Sequence, residues 1–335
     1  MKPSALAVFS IVSLLLLAIF GAGCLAAGAS SRQSPRALRA IVLGGGGPPG
    51  AAWEIGMLKG LRDGGVDLSD ADLFVGTSAG SFTGALVRSG KTLDDLYQWE
   101  LTRGILPNNP LAFVSLADSD YYADTTAMVV DHAGSTPAFR VEVGRKALAT
   151  PHPIPEETWR ARFKALLDAD SWPSRPLKMA AVDVGDGAVR FFDKTQGVPL
   201  ETAIAASSAL PGLVAPITVG DRRYMDGYVA GTNLSGALGY RVIVVLAPFG
   251  GSKDIELVRS NGSQVIEVGA DAAAISAASS GSDILKAWAE AGFQQAAAVL
   301  DDVRTLWNGG TPSPRIAGRR DDLAAPPWRC GIARS

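Results

Sequence analysis

Two short apolar runs alternate with two helical patterns near the start of the chain, and glycine marks each junction between them. The runs "RAIVL" at 39–43 and "ADLFVG" at 71–76 have the length and apolar content of buried strands. The segments at 51–65 and 78–90 carry apolar residues at helical spacing and end in glycine. Successive strands joined by a helix pair in parallel, so this order predicts a three-layer α/β/α fold around a mostly parallel sheet.

Later segments predict further regular structure, with one irregular region before it. Residues 91–173, with scattered Pro, Asp and aromatic residues, predict an insertion with short helices that could cover or line a site. One of those helices is predicted at 156–169. The elements predicted after the insertion are a hairpin of strands 177–184 and 188–193, a helix at 199–212, a hairpin at 217–227, strands at 240–248 and 263–271, and a helix at 282–307.

Composition and charge limit the class of protein. Of the 335 residues, 47% are hydrophobic and 19% are charged, which is typical of a globular chain and not of a disordered one. The net charge of -2 gives no electrostatic reason to expect a nucleic-acid partner. We therefore predict one domain over 39–307, followed by a Pro- and Arg-rich tail at 308–335 that we expect to be poorly ordered.

Residues 1–29 have the pattern of an export signal. Lys2 precedes an uncharged stretch with "IVSLLLLAIF" at its centre, and small residues follow. Three interpretations remain open: lipidation of Cys24 after cleavage, ordinary cleavage at the small-x-small site of Ala27 and Ala29, or an uncleaved membrane anchor. Each interpretation predicts that the folded part lies outside the cytoplasm, after a linker at 30–38.

The sequence "GTSAGS" places Ser78 between Gly76 and Gly80, where a predicted strand gives way to a helix. A Gly-x-Ser-x-Gly run at such a junction is typical of a nucleophile elbow, in which flanking glycines remove bulk and the hydroxyl stands clear of the backbone. The serine would lie at the positive end of the following helix. The alternative is a glycine-rich loop whose serine only caps that helix.

A second glycine loop, "VLGGGGPPG", joins the first predicted strand to the first helix. Backbone N–H groups at such a helix start form an anion site. The spacing of Gly45, Gly47 and Gly50 fits a dinucleotide fingerprint, whereas an oxyanion hole for acyl transfer would use the same N–H groups. A dinucleotide site requires an acidic residue at the end of the second strand, but the serine elbow stands there instead, so the order of motifs favours acyl transfer.

A serine nucleophile needs a base, and the chain contains only two histidines. His132 and His152 both fall in the irregular insertion, away from any predicted strand end. A carboxylate is the other candidate. Asp226 follows a predicted hairpin and precedes Gly227, which would allow close approach to another loop; Asp183 is its rival. Alternatively, Asp226 and Gly227 form an ordinary turn pair.

The glycine loop, "GTSAGS", "AASSALPGLVAP" and "MDG" occur in an order and spacing that resembles the patatin-like phospholipases, over roughly residues 39–305. That family also resembles the catalytic domain of cytosolic phospholipase A2. The resemblance implies a Ser-Asp dyad without histidine, with Ser78 as nucleophile and Asp226 as its acid-base partner. It implies an oxyanion hole from Gly45, Gly46 and Gly47. Four further glycines would support these motifs: Gly50, Gly76, Gly80 and Gly227.

The resemblance also implies a substrate, and the chain departs from the family pattern at three points. We expect hydrolysis of acyl esters of lipids at a membrane surface, without metal or organic cofactor. The family loop often carries Arg or Lys where this chain has Pro49, and its loop is commonly one residue shorter. Because Pro48 and Pro49 have no N–H, the oxyanion donors must come from the preceding glycines. Tyr228 follows "MDG" where Gly or Ala is usual. Head group, chain length and oligomeric state stay open.

Overall fold

The computed structural model describes residues 38–103, 136–151, 154–167, 171–272 and 283–312. The predicted export signal with Cys24, both histidines and most of the predicted tail lie outside the described residues. Within the described part, no helix combines the length and the low polarity that crossing a membrane requires.

Eight strands form one mixed, mostly parallel sheet in the described part of the chain. The parallel core has the order β3-β2-β1-β7-β8, while β4, β5 and β6 pair in antiparallel fashion near β3. Every predicted strand is confirmed to within three residues at either end. The strands are β1 Arg39–Leu43, β2 Leu73–Thr77, β3 Leu177–Asp183, β4 Val189–Phe192, β5 Ile217–Val219, β6 Arg222–Asp226, β7 Val242–Leu246 and β8 Gln264–Val268.

Strands β2 and β6 share one edge of β3 and meet end to end. Ala180 pairs with Thr77 of β2 and, on its other side, with β4. Ala181 pairs with Asp226 of β6 and also with β4. Since β4 occupies one edge of β3 at both positions, β2 and β6 must both lie along the opposite edge. The carboxyl ends of β2 and β6 therefore face each other across consecutive residues of β3.

Helices cover both faces of the sheet, which confirms the predicted three-layer α/β/α class. In β1, Ile41 and Leu43 belong to the larger of two hydrophobic clusters, and Ala40 and Val42 belong to the smaller one. The two pairs point to opposite faces of the sheet, as the alternation of side chains along a strand requires. The described helices are α1 Gly47–Asp63, α2 Ala79–Arg88, α3 Leu93–Arg103, α4 Pro137–Leu148, α5 Glu156–Leu166, α6 Leu200–Ser207, α7 Ile255–Ser260 and α8 Ile284–Trp307.

Two helices differ from the prediction. Helix α1 begins at Gly47, four residues before the predicted start, because Pro48 and Pro49 occupy its first turn, where a missing N–H costs no helical hydrogen bond. Helix α6 ends at Ser207, before the predicted stop at Pro211 and Gly212. The described parts of the insertion at 91–173 contain short helices, as predicted: α3, α4 and α5, of which α5 matches the helix predicted at 156–169.

Close backbone contact fixes α1 against α8. A Cβ on Gly56 of α1 would lie 2.0 Å from Ala289 O, and a Cβ on Gly292 of α8 would lie 2.2 Å from Trp53 O. No side chain larger than hydrogen fits at either position. The helix that starts at the glycine loop therefore packs with its backbone directly against α8 near its middle.

Candidate active site

Ser78 occupies a strained turn between β2 and α2. Its backbone has φ 55° and ψ −116°, in the region that residues with a side chain rarely adopt. Both flanking glycines are required by close contacts: a Cβ on Gly76 would lie 2.5 Å from Gly80 O, and one on Gly80 would lie 2.3 Å from Leu43 O. The geometry is that of the predicted nucleophile elbow.

The side chain of Ser78 binds Asp226 and makes no cap hydrogen bond to α2. Its Oγ donates to Asp226 Oδ2 at 2.8 Å, although the two residues are 148 positions apart in the chain. The simple capping role for Ser78 is therefore wrong. The end-to-end meeting of β2 and β6 brings the two side chains together, because Ser78 directly follows β2 and Asp226 ends β6.

Asp226 is 2% exposed and has no cationic partner among the described residues. Its Oδ1 accepts the N–H of Tyr228 at 2.8 Å, so the residue also forms the turn that the Asp-Gly pair predicts. Burial raises the pKa of Asp226 to about 7, against the lowering effects of the Tyr228 amide and the Ser78 hydroxyl. A carboxylate with such a pKa is a far better proton acceptor at neutral pH than an exposed aspartate.

Ser207 holds the backbone of the Ser78 turn through hydrogen bonds, and reasoning from the sequence missed this residue. The Ser207 hydroxyl donates to Ala180 O at 2.6 Å and accepts the N–H of Ser78 at 3.0 Å. Its single proton is then used, so Ser81 Oγ, 2.7 Å away, must donate to Ser207 Oγ. The motif "AASSALPG" contains Ser207, but only its contacts with β2 and β3 reveal this structural role.

The glycine loop lies directly against the elbow. Gly80 donates its N–H to Gly44 O at 2.9 Å, and the N–H of Gly44 donates to Leu246 O at 2.8 Å. No described residue accepts a hydrogen bond from the N–H groups of Gly45, Gly46 and Gly47. Three adjacent amides at the start of a helix, beside the serine, are thus free to bind an anion.

Tyr228 connects the loop to the carboxylate. Its amide binds Asp226, and its ring packs on the loop so closely that a Cβ on Gly45 would lie 2.8 Å from Tyr228 Cδ2. Gly46 and Gly50 are also in tight contact, since a Cβ on Gly46 would lie 2.9 Å from the Gly50 Cα. The predicted supporting glycine at 50 therefore closes the first turn of α1, with its N–H bonded to Gly46 O.

The other predicted bases do not contact Ser78 in the described part. Asp183 binds Arg222 and accepts the N–H of Gly185 at 2.8 Å, so its contacts serve the turn after β3. His132 and His152 lie outside the described residues. Among the residues that are described, no group of three or more His, Cys, Asp or Glu side chains is arranged to hold a metal ion.

Comparison with solved structures finds matches at low sequence identity. VipD from Legionella pneumophila matches with a TM-score of 0.41 and 12% identity, over 80% of this chain and 67% of that one. The type III effector ExoU matches with a TM-score of 0.37 and 15% identity, over 80% of this chain and 54% of that one. The chain thus spans about two thirds of VipD and about half of ExoU. Likenesses of this size say nothing about activity, and no curated protein sequence matches the chain.

A family model matches a larger part of the chain. The matching model is described as patatin-like phospholipase and covers residues 41–237. This range begins in β1, contains the glycine loop, the elbow and the Ser78–Asp226 pair, and ends after the turn that follows β6. The chain belongs to the patatin-like phospholipase family.

Proposed function

We propose that the chain is a serine acyl-ester hydrolase of phospholipase A or lipid acyl hydrolase type that works through Ser78 and Asp226. Hydrolysis of lipid esters in general follows from membership of the family. The observation that carries the assignment to these residues is the 2.8 Å hydrogen bond from a strained serine to a buried carboxylate. Among the described residues the Ser78 side chain has no other partner, and Asp226 uses its other carboxyl oxygen for the Tyr228 N–H, so the turn does not account for the bond to Ser78.

In the proposed acylation step, Ser78 Oγ attacks the ester carbonyl while its proton passes to Asp226 Oδ2. Because the pKa of Asp226 is raised to about 7, its carboxylate can both accept and release a proton near neutral pH, as a general base must. Collapse of the tetrahedral intermediate expels the alcohol, which takes the proton back from Asp226. The acyl group then remains on Ser78 as an ester.

Deacylation repeats the same steps with water. Asp226 accepts a proton from water as the water oxygen attacks the acyl carbonyl, and returns the proton to Ser78 Oγ when the acid leaves. In both steps the carbonyl oxygen becomes negative. The free N–H groups of Gly45, Gly46 and Gly47 are the proposed donors to that oxygen, and each such donor in acyl transfer is worth roughly 10²–10³ in rate.

Removal of the nucleophile tests the proposal. Ser78→Ala should abolish hydrolysis of p-nitrophenyl esters and of phospholipid vesicles, with unchanged circular dichroism and melting temperature. Ser89→Ala is the matched control, because Ser89 follows the other end of α2 and bonds only to Leu86 O. A fluorophosphonate probe should label wild type and Ser89→Ala on Ser78.

Three results would contradict the proposal. Full activity of Ser78→Ala, or labelling of a different residue, would exclude Ser78 as nucleophile. A wild-type protein that binds lipid vesicles but hydrolyses no ester would instead indicate a catalytically degenerate, anchored lipid-binding protein. If hydrolysis depends on Ser78, a panel of lipids that differ in head group and acyl length identifies the preferred substrate.

We also propose that the protein is exported and either anchored at a membrane or, after ordinary cleavage, released as a secreted or periplasmic protein. The support is the N-terminal pattern, with Lys2, an uncharged stretch and small residues around Cys24. Mass spectrometry of the mature N-terminus would show a lipidated Cys24, a chain that starts after Ala29, or an intact anchor. Recovery of the intact chain in the cytosolic fraction would contradict export.

A further inference from the structure

A buried polar cluster lies beneath the glycine loop. It consists of Glu54 on α1, Thr83 on α2, and Glu100 and Arg103 on α3, and all four residues are fully or almost fully buried. Helix α1 starts at the glycine loop and α2 starts at Ser78, so the cluster joins the two helices that carry the site to a third. The proposed reaction does not use any of these four side chains.

Arg103 connects the cluster to the loop. Its Nη2 donates to Pro48 O at 3.2 Å, and its Nε donates to Glu100 Oε2 at 2.5 Å. The guanidinium also lies 4.4 Å from the centroid of the Trp99 ring. Pro48 stands one residue after Gly47, in a first turn that lacks two N–H groups. A cation that binds the Pro48 carbonyl constrains the Pro48–Pro49 peptide, which follows the three glycines with free amides closely in the chain.

The charges in this cluster are costly to bury and so require explanation. Burial raises the pKa of Glu100 to about 7, while its bond to Arg103 opposes the rise. Burial also raises the pKa of Glu54, against the lowering effects of the Thr83 hydroxyl and the Gly44 backbone, and Glu100 raises it further. Arg103 Nη1 and Glu100 Oε1 have no hydrogen-bond partner among the described residues. Buried ion pairs of this kind are often no more stabilising than apolar side chains of similar size, so stability alone is a weak reason for their presence.

We propose that Glu100 and Arg103 are positioning residues for the oxyanion loop. Glu100 orients the guanidinium of Arg103, which holds the Pro48 carbonyl. The amides of Gly45, Gly46 and Gly47 are thereby kept at a fixed position relative to Ser78. This inference rests on the proposed function for its effect on rate. Its structural part, restraint of the loop by Arg103, does not.

The test removes the bond to Pro48 without leaving a charge unpaired. Glu100→Gln combined with Arg103→Met keeps the volume and the packing on Trp99, so we expect the double variant to fold. Because loop amides that drift from the reacting oxygen lose transition-state stabilisation, kcat should fall roughly 10- to 100-fold while KM stays nearly constant. Arg103→Lys should recover part of the loss, since an ammonium can still reach one carbonyl.

Arg88 offers a matched control. It is also buried, its guanidinium donates to Ser69 O at 3.0 Å and Ala71 O at 2.6 Å, and it lies 4.0 Å from the Phe74 ring centroid. These contacts hold the turn before β2, at the opposite end of that strand from Ser78. Arg88→Met should lower the melting temperature but leave kcat unchanged.

Hydrogen exchange gives a readout that does not depend on activity. Amides of the peptide 44–52 should exchange faster in the Glu100→Gln/Arg103→Met protein than in wild type, and should be unaffected in Arg88→Met. Wild-type exchange and kcat in the double variant would overturn the inference, as would an equal loss of kcat in Arg88→Met. If wild type shows no Ser78-dependent hydrolysis, the proposed function fails, and the exchange comparison still decides whether Arg103 restrains the loop.

Discussion

Asp183 and Asp226 end two neighbouring strands, β3 and β6, and are almost equally buried at 1% and 2% exposed. Asp183 binds Arg222, whose side chain is 47% exposed, and the N–H of Gly185. Asp226 binds one amide and one hydroxyl and has no cation among the described residues. Both aspartates hold a turn, but Asp183 is paired with a cation, whereas Asp226 lacks one and has a raised pKa that suits the proposed exchange of a proton with Ser78.

The largest expected effect separates the two carboxylates. Asp226→Asn should lower kcat/KM by roughly 10³-fold or more, because Ser78 loses its proton acceptor. Asp183→Ala should retain most activity but lose roughly 0.5–1.5 kcal/mol of unfolding free energy, since the partly buried hydrogen bond from the Gly185 N–H is lost. Ester hydrolysis and urea unfolding of both variants measure these outcomes. Equal loss of activity in the two variants would remove the distinction.

The next contrast is between two glycines: Gly227, which directly follows Asp226, and Gly185, two residues after Asp183. A Cβ on Gly227 would lie 2.3 Å from Ala180 O, so Gly227→Ala should push β6 away from β3 and reduce kcat roughly 100-fold. A Cβ on Gly185 has only Asp183 Oδ1 nearby, at 3.3 Å, and Gly185→Ala should have a small effect. Steady-state kinetics at saturating substrate compares them. A harmless Gly227→Ala would mean that the meeting of β2 and β6 tolerates displacement.

The loss of kcat/KM on the acid side should follow protonation of Asp226. With a pKa of about 7, the basic form of Asp226 is lost below that pH, so kcat/KM should fall about tenfold per unit on the acid side. The raised pKa also means that the folded state holds this proton more tightly than the unfolded state. Its contribution to stability is therefore present below the ordinary aspartate pKa and is lost as pH rises through 7.

Two measurements check this sign. The kcat/KM profile of the Asp183→Ala variant should keep the wild-type midpoint. The melting temperature of Asp226→Asn, relative to wild type, should increase between about pH 4 and pH 8, because the asparagine carries no charge to desolvate. A relative melting temperature that decreases over that range would show that Asp226 is stabilised as an anion in the fold.

The smallest effect is expected from the surface cation. Arg222→Ala removes an exposed partner of Asp183 and should change kcat by less than about twofold, with a modest loss of stability because exposed ion pairs contribute little. Thermal unfolding and ester hydrolysis measure both quantities. A strong loss of activity would mean that the two carboxylates are coupled through the β3–β6 pair.

Local signals in the sequence predicted the strands and the two motif loops. A buried strand is a short apolar run, and a tight turn needs glycine, so both can be recognised from adjacent residues. Ser78 and Gly76 belong to this group. The helices in the insertion were less visible because their polar faces interrupt the apolar pattern, and α1 began early because prolines favour a first helical turn.

Contacts between distant segments could not be predicted in the same way. The hydrogen bond from Ser78 N to Ser207 Oγ joins residues 129 positions apart, and the bond from Arg103 to Pro48 O spans 55. Neither residue has an unusual neighbour in sequence, and a serine or arginine inside a helix is usually solvated. Asp226 was found because an Asp-Gly pair stands at a strand end; Arg103 has no comparable signal.

The seam where β2 and β6 abut has a consequence for how activity appears during refolding. Neither strand pairs with the other, and the strand with which both pair is β3, which lies between them in sequence. An early intermediate containing β1 and β2 would present Ser78 without a proton acceptor. Recovery of catalysis should therefore lag behind the burial of tryptophan side chains and coincide with docking of the β5–β6 hairpin onto β3.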